Sequence, residues 1–348
     1  MKRWSYRGVF CSVILLAGVM ISSHAFAETS AQMTVLEKKL YEAAKKEGKL
    51  THWDSDSLKN ISQFIKAFTS RYPGIEVSYW EGNTSQSDEK YFSERQAGRK
   101  SVDVVQVGQY QKFKSEGCLA NVSDIVKDTA FPKDLHTKDF DAVAIEHTVK
   151  GVSYNTKLIS PKDVPRSWEA LLDPKWKGKI AVEVNLDVFV YLTRSWGQDK
   201  VIAYLKKLKE QNPIFNKGVS NTMILLGAGE FPLAVDMSVS ITLDQQAKGN
   251  PIGFAPISPI VDKFAPFALL QDAPHPNAGK LFLRWLMSPE GQLLLDKVRH
   301  KGNPLPGSGT AQSKTLEPLG IKVLVVPAWE VDAKGLQEIY QQAIGYTK

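Results

Sequence analysis

Cysteine is almost absent from this chain. Its 348 residues include two, and only Cys118 lies beyond the first 27 positions. A single thiol cannot close an intramolecular disulfide, so the fold must rest on its core even in an oxidising compartment. Cys118 reads as a small buried apolar side chain. Long apolar runs are scarce too. The one over residues 9–21 is too short to span a bilayer. It follows Lys2, Arg3 and Arg7 and precedes Ala25-Phe26-Ala27, the pattern of a secretory leader cleaved after Ala27. Cys11 lies too early for lipid attachment, so the rest is expected free in the periplasm. Charge of one sign is not concentrated. Lys and Arg number 44 against 37 acidic residues. Without the three leader bases the balance is 41 against 37, spread along the chain, which gives nucleic-acid binding no support. Internal repeats and low-complexity linkers are missing. The 321 residues after a 27-residue leader suffice for two separately cored lobes.

The motifs of several chemistries are also lacking. No G-x-S-x-G elbow supports an α/β-hydrolase. No H-E-x-x-H, Cys/His ligand spacing, P-loop or G-x-G-x-x-G is present. The histidines after the leader are dispersed, and Glu146 and His147 would point to opposite faces of a strand. No cofactor and no metal ligand set is expected.

What is present alternates helical and strand patterns, the signature of an α/β fold. Thr34 and Glu37 have capping-box spacing before a helix that Gly48 ends. Ile61, Phe64, Ile65 and Phe68 mark a second helix. Strands are expected over 50–53, 75–80, 102–107, 151–155, 180–184, 233–236 and 267–270. Helices with apolar faces follow at 201–208 and 281–286, a third starts at Ser288-Pro289, and the last covers 336–344. Polar loops follow the strand ends: Asp54-Ser55-Asp56-Ser57, Gly108-Gln109, Asn185-Leu186-Asp187 and Asp236-Met237-Ser238. In an open α/β sheet, ligands bind outside the carboxyl ends of the strands, near free helix N–H groups. Taken singly, each loop is ordinary helix capping; as a set converging on one cleft, they favour binding.

Five segments carry a resemblance: 154–158 (YNTKL), 168–180 (WEALLDPKWKGKI), 229–232 (GEFP), 273–278 (APHPNA) and 286–292 (LMSPEGQ). With these the chain resembles the solute-binding proteins of ATP-binding-cassette (ABC) importers, in the ferric-ion-binding-like branch. The resemblance implies an α/β, two-lobe periplasmic binding protein type II fold, a Venus flytrap with the ligand cleft between the lobes. Lobe one is expected over 28–146 plus parts of 264–348 and lobe two over 147–258, with crossover strands near 147–155 and 259–266. It also implies two partners, a membrane permease and its ATPase, with membrane contact only through the permease, and a monomer that captures solute without chemistry.

Ferric binders of this branch resemble one another in placing a tyrosine pair after the strand that here ends near Asp236. This chain has Asp236-Met237-Ser238-Val239-Ser240, and no adjacent tyrosines anywhere. Ser57 and Gly108 stand where that branch's histidine and glutamate ligands would fall. Hydroxyls replace phenolate poorly as Fe(III) ligands, so a small polar organic solute is expected. The expected ligand-binding residues are Asp54, Ser55, Asp56 and Ser57 on one wall, bordered by Gln109 and Tyr110. Glu183, Asn185, Asp187, Asp236 and Ser238 are expected on the other, and Tyr154 and Asn155 at the hinge. Trp53 and Phe189 read equally as core or as ligand contacts. Two alternatives stay open: a ferric or other metal binder with atypical oxygen ligands, and a secreted carboxylate hydrolase using Glu183 and Asp187.

Overall fold

The computed structural model describes residues 32–129, 131–327 and 330–347; the leader expected over 1–27 lies outside them. Ten strands form one mixed sheet: β1 (Lys49–Asp54), β2 (Glu76–Glu81), β3 (Val104–Gln106), β4 (Val143–Asn155), β5 (Ile180–Glu183), β6 (Ile214–Asn216), β7 (Leu233–Ser238), β8 (Ile252–Phe254), β9 (Ile260–Leu269) and β10 (Val323–Pro327). The order is β2-β1-β3-β9-β4-β7-β5-β6, with β8 added on β4 and β10 on β9. β1, β2 and β3 run parallel at one end, and β5, β6 and β7 at the other. The two long strands between them are antiparallel. β9 pairs with β3 through Phe267 to Leu269 and with β4 further back. β4 pairs with β9 as far as Lys150, then with β7 from Lys150 to Tyr154. These strands carry the chain between two halves, each with its own aromatic core.

In the first half the apolar stripe of the Leu58–Arg71 helix buries Ile61, Phe64 and Phe68. Phe68 meets Phe282 edge to face at 5.2 Å and Trp285 at 5.7 Å. In the second half Trp168 packs on Phe189 at 5.4 Å, and its indole N–H donates to the Pro259 carbonyl at 2.8 Å. Burying each such ring contributes about 1.5–3 kcal/mol. Trp53 and Phe189 are core residues, 2% and 0% exposed. Cys118 is buried as a free thiol.

Helix ends follow local chemistry. Gly48 ends the Val35–Glu47 helix at φ 70°, and Ser288 caps Pro289–Arg299 through the Gly291 N–H. Thr34 does accept from the Glu37 N–H. The Glu37 side chain, however, turns inward to Arg71, Tyr72 and Arg284 and closes no capping box. A buried double ion pair outcompetes a solvent-facing cap.

Candidate functional site

Two strand-to-helix junctions meet over β4. One follows β1 and opens the Leu58–Arg71 helix; the other follows β7 and opens the Val239–Ala247 helix. Between them lies a cavity of about 360 Å³. Asp56 and Asn60 line it from the first half, and Ser238, Ser240 and Asp244 from the second. Thr148 and Lys150 on β4, with Arg299 and Lys301, complete its polar lining.

Each cation at this furrow is held by acids of one side. The Arg299 guanidinium, 4% exposed, pairs with Asp56 and Glu146 and lies 3.3 Å from Asp54. Its planar fork suits several carboxylates at once. Lys301 pairs with Glu146 at 3.0 Å. Burial and Arg299 both push the Lys301 pKa below the usual lysine range. On the other side, Lys150 lies 3.5 Å from Asp236 and 3.6 Å from Asp187, and Lys263 lies 3.0 Å from Asp187.

The carboxyls differ in consequence. Burial alone would raise Asp54, but His52 and Arg299 overcome it and hold the group far below the carboxylate range. For Asp187 too burial pulls upward, and Lys263 and Lys150 reverse it. Asp236 goes the other way: burial and the Asp187 charge push it up to about 7, against Lys150 and the Val188 N–H.

Of the residues expected from the sequence, Asp56 and Ser238 line the cavity directly. Asp56 accepts from Asn60 at 3.1 Å. The Ser238 and Ser240 hydroxyls bond each other at 2.6 Å, and neither caps the helix they begin. The other expected residues fall elsewhere. Asp54 is 1% exposed, is tied to Ser55 and Arg299, and does not line the cavity. Ser55 bonds Gln106 at 2.8 Å, and Ser57 is the exposed N-cap residue of the Leu58–Arg71 helix. Gln109 and Tyr110 border a separate hollow of about 350 Å³ beside Pro266, and the Tyr110 hydroxyl donates to Asp141 at 2.8 Å. Glu183 is fully buried, and Asn185 accepts from Gln337 at 3.1 Å. Asp187 is held by Lys150 and Lys263 as above. Asp236, 0% exposed, accepts from the Asp187 and Val188 N–H groups at 2.9 Å each. Tyr154 and Asn155 stand past the point where β4 passes from β9 to β7. Tyr154 pairs there with Leu233 and Gly253, and Asn155 anchors the Leu226 carbonyl at 2.7 Å.

Sequence reading missed the cations Lys150, Arg299 and Lys301. Lys150 directly precedes the strand expected over 151–155, and a lysine in that place was the available signal. Arg299 sits in the last turn of the Pro289–Arg299 helix, where a basic residue is ordinary. Among the described residues, no group of three His, Cys, Asp or Glu side chains is placed to hold a metal ion.

The sequence profile of the bacterial extracellular solute-binding proteins matches residues 54–293. The chain belongs to that family. It is a solute-binding component of the ABC-importer class, and the hydrolase reading of Glu183 and Asp187 is set aside. An uncharacterized Haemophilus influenzae protein is 24% identical over 64% of this chain and 66% of its own length. A Salmonella typhimurium protein, named as a 2-aminoethylphosphonate-binding periplasmic protein, is 26% identical over 67% of this chain and 70% of its own length. The structure of iron-bound HitA from Pseudomonas aeruginosa superposes with a TM-score of 0.65 at 19% identity, covering 85% of this chain and 99% of HitA. That likeness establishes the two-lobe fold.

Proposed function

We propose that this protein captures a small organic solute in the cavity over β4 and delivers it to a membrane permease driven by a partner ATPase. The solute carries one anionic group and one ammonium or hydroxyl group. The observation that carries this reading is the cavity's pairing of opposite features. Ser238, Ser240 and the first N–H groups of the Val239–Ala247 helix favour an anion, and Lys301 lines the same cavity. Asp56 and Asp244, on the same cavity, favour an ammonium or hydroxyl donor. The name of the Salmonella relative points to such a solute, since an aminoalkylphosphonate bears both charges. A cavity of about 360 Å³ suits a molecule of that size.

In this reading the lobes divide as the sequence suggested, 28–146 with parts of 264–348 against 147–258, and the leader is removed after Ala27. The monomer closes around solute because the closed state binds it more tightly.

Calorimetric titration with 2-aminoethylphosphonate, amino acids, sugars and ferric citrate tests the proposal. Saturable one-to-one binding is expected for an aminoalkylphosphonate or a like zwitterion, weakened at least tenfold by Ser238→Ala with Ser240→Ala. Binding of ferric ion alone, with no organic partner, would overturn it.

A further inference from the structure

Two acids line the cavity over β4, Asp56 and Asp244, and they are not equivalent. Asp56 is already engaged. One oxygen accepts from the Ser57 N–H at 2.8 Å and from Asn60 at 3.1 Å, and the other pairs with the Arg299 guanidinium. Its charge is balanced before any solute arrives. Asp244 is half-exposed, and among the described residues its one ion-pair partner is His300, at 3.5 Å. The His300 Nδ1 is buried and has no hydrogen-bond partner. An N–H at that nitrogen would lack an acceptor, so the neutral ring carries its proton on Nε2. Asp244 then meets a neutral N–H donor rather than a fixed positive charge. The cavity's own cations are engaged as well: Arg299 and Lys301 with Glu146, and Lys150 with Asp187 and Asp236. Asp244 is thus the charged group of this lining that lacks a Lys or Arg counter-charge, among the described residues.

Its place on the Val239–Ala247 helix also sets a distance. Asp244 follows Ser240 by four residues, so the two share a face one turn apart, with about 5–6 Å between Cβ atoms. Both line the cavity, and so do Ile241 and Val219, whose apolar surface suits methylene carbons better than a polyol. We propose that Asp244 is a specificity-determining residue: it receives the solute's ammonium group, one helical turn from the anionic group at Ser238 and Ser240. It thereby selects zwitterions whose two charges stand at least two carbons apart. This rests on the cavity over β4 being the solute site. An ammonium gives Asp244 the charge-assisted partner that His300 does not, and a solute without one leaves the carboxylate facing it uncompensated.

Calorimetry on the full chain tests this with two pairs of probes: 2-aminoethylphosphonate with ethylphosphonate, and β-alanine with propionate. The members of each pair differ only by the amine. The unmodified protein should bind an amine-bearing probe at least tenfold more tightly than its amine-free partner. In Asp244→Asn the amine-bearing probe should fall to the level of that partner, and Asp244→Glu should restore part of the preference. A folded Asp244→Asn variant that still prefers the amine would overturn the proposal and leave the cavity reading intact. So would an unmodified protein that binds both members of a pair equally. A further check needs no variant. Aminomethylphosphonate and glycine, each one carbon shorter, should bind at least tenfold more weakly than their two-carbon counterparts, and equal affinity would refute the spacing. If no probe binds, the cavity reading itself fails, and the role of Asp244 falls with it.

Discussion

Arg299 shows what a single side chain settles here. Its guanidinium is buried and shared among Asp54, Asp56 and Glu146, and it lies 5.1 Å from the centre of the Phe64 ring. Removing one partner of a buried ion network leaves uncompensated charge, which costs about 3–5 kcal/mol. Arg299→Met should therefore lower stability by that amount in urea unfolding. Arg299→Lys should recover only part of it, because an ammonium cannot fork between three acids. Asp236 gives a pH signature. Its folded pKa of about 7 exceeds the ordinary carboxyl value of 3.8. The folded state then holds the proton more tightly, and the stability this confers, present below pH 3.8, is lost as pH rises toward 7. Unfolding free energies of the unmodified protein minus those of Asp236→Asn should fall across that window. A flat difference would contradict the assignment. Asp54 and Asp187 have depressed values and act in the opposite sense, at lower pH. The sequence showed carboxylates at strand ends but not which of them are buried. The partners that decide it lie far off: Arg299 is 245 residues from Asp54 and Lys150 is 86 from Asp236.

At the scale of elements, local chemistry was legible wherever it acts within a few residues. Ser288, Pro289 and Gly48 marked helix ends that the structure keeps. Ser288→Ala should cost about 1 kcal/mol of stability, the usual value for a lost N-cap, read as a shift of the urea midpoint. β4 was legible only in its last five residues. Its front half carries Glu146, His147, Thr148 and Lys150, and polar side chains on both faces hide a strand from any periodicity. Those residues are polar because they serve as the furrow's floor and its buried pairs: His147 with Asp262 at 2.5 Å, Glu146 with Lys301, Lys150 with Asp236. The late return of β10 beside β9 is a long-range pairing that no local pattern encodes. Glu37 carries the same lesson in reverse, since a correct local spacing lost to Arg71 and Arg284 brought in by tertiary packing.

For the whole molecule, the alternation of strands and helices and the resemblance across the chain gave the two-lobe architecture. The solute was less legible, because the scaffold names the family while the furrow names the guest. Cations from β4, from the end of the Pro289–Arg299 helix and from the segment after it converge on that furrow only once the chain has folded. If the lobes close on solute, X-ray scattering should record a smaller radius of gyration on saturation, and an unchanged profile would argue against closure. The central claim is capture without chemistry, and native mass spectrometry of the protein purified from its own host tests it most directly. One small organic molecule per chain should be seen, released unaltered on denaturation and no longer retained after Ser238→Ala with Ser240→Ala. A chain that carries nothing through gentle purification and converts an offered solute into product would contradict the account.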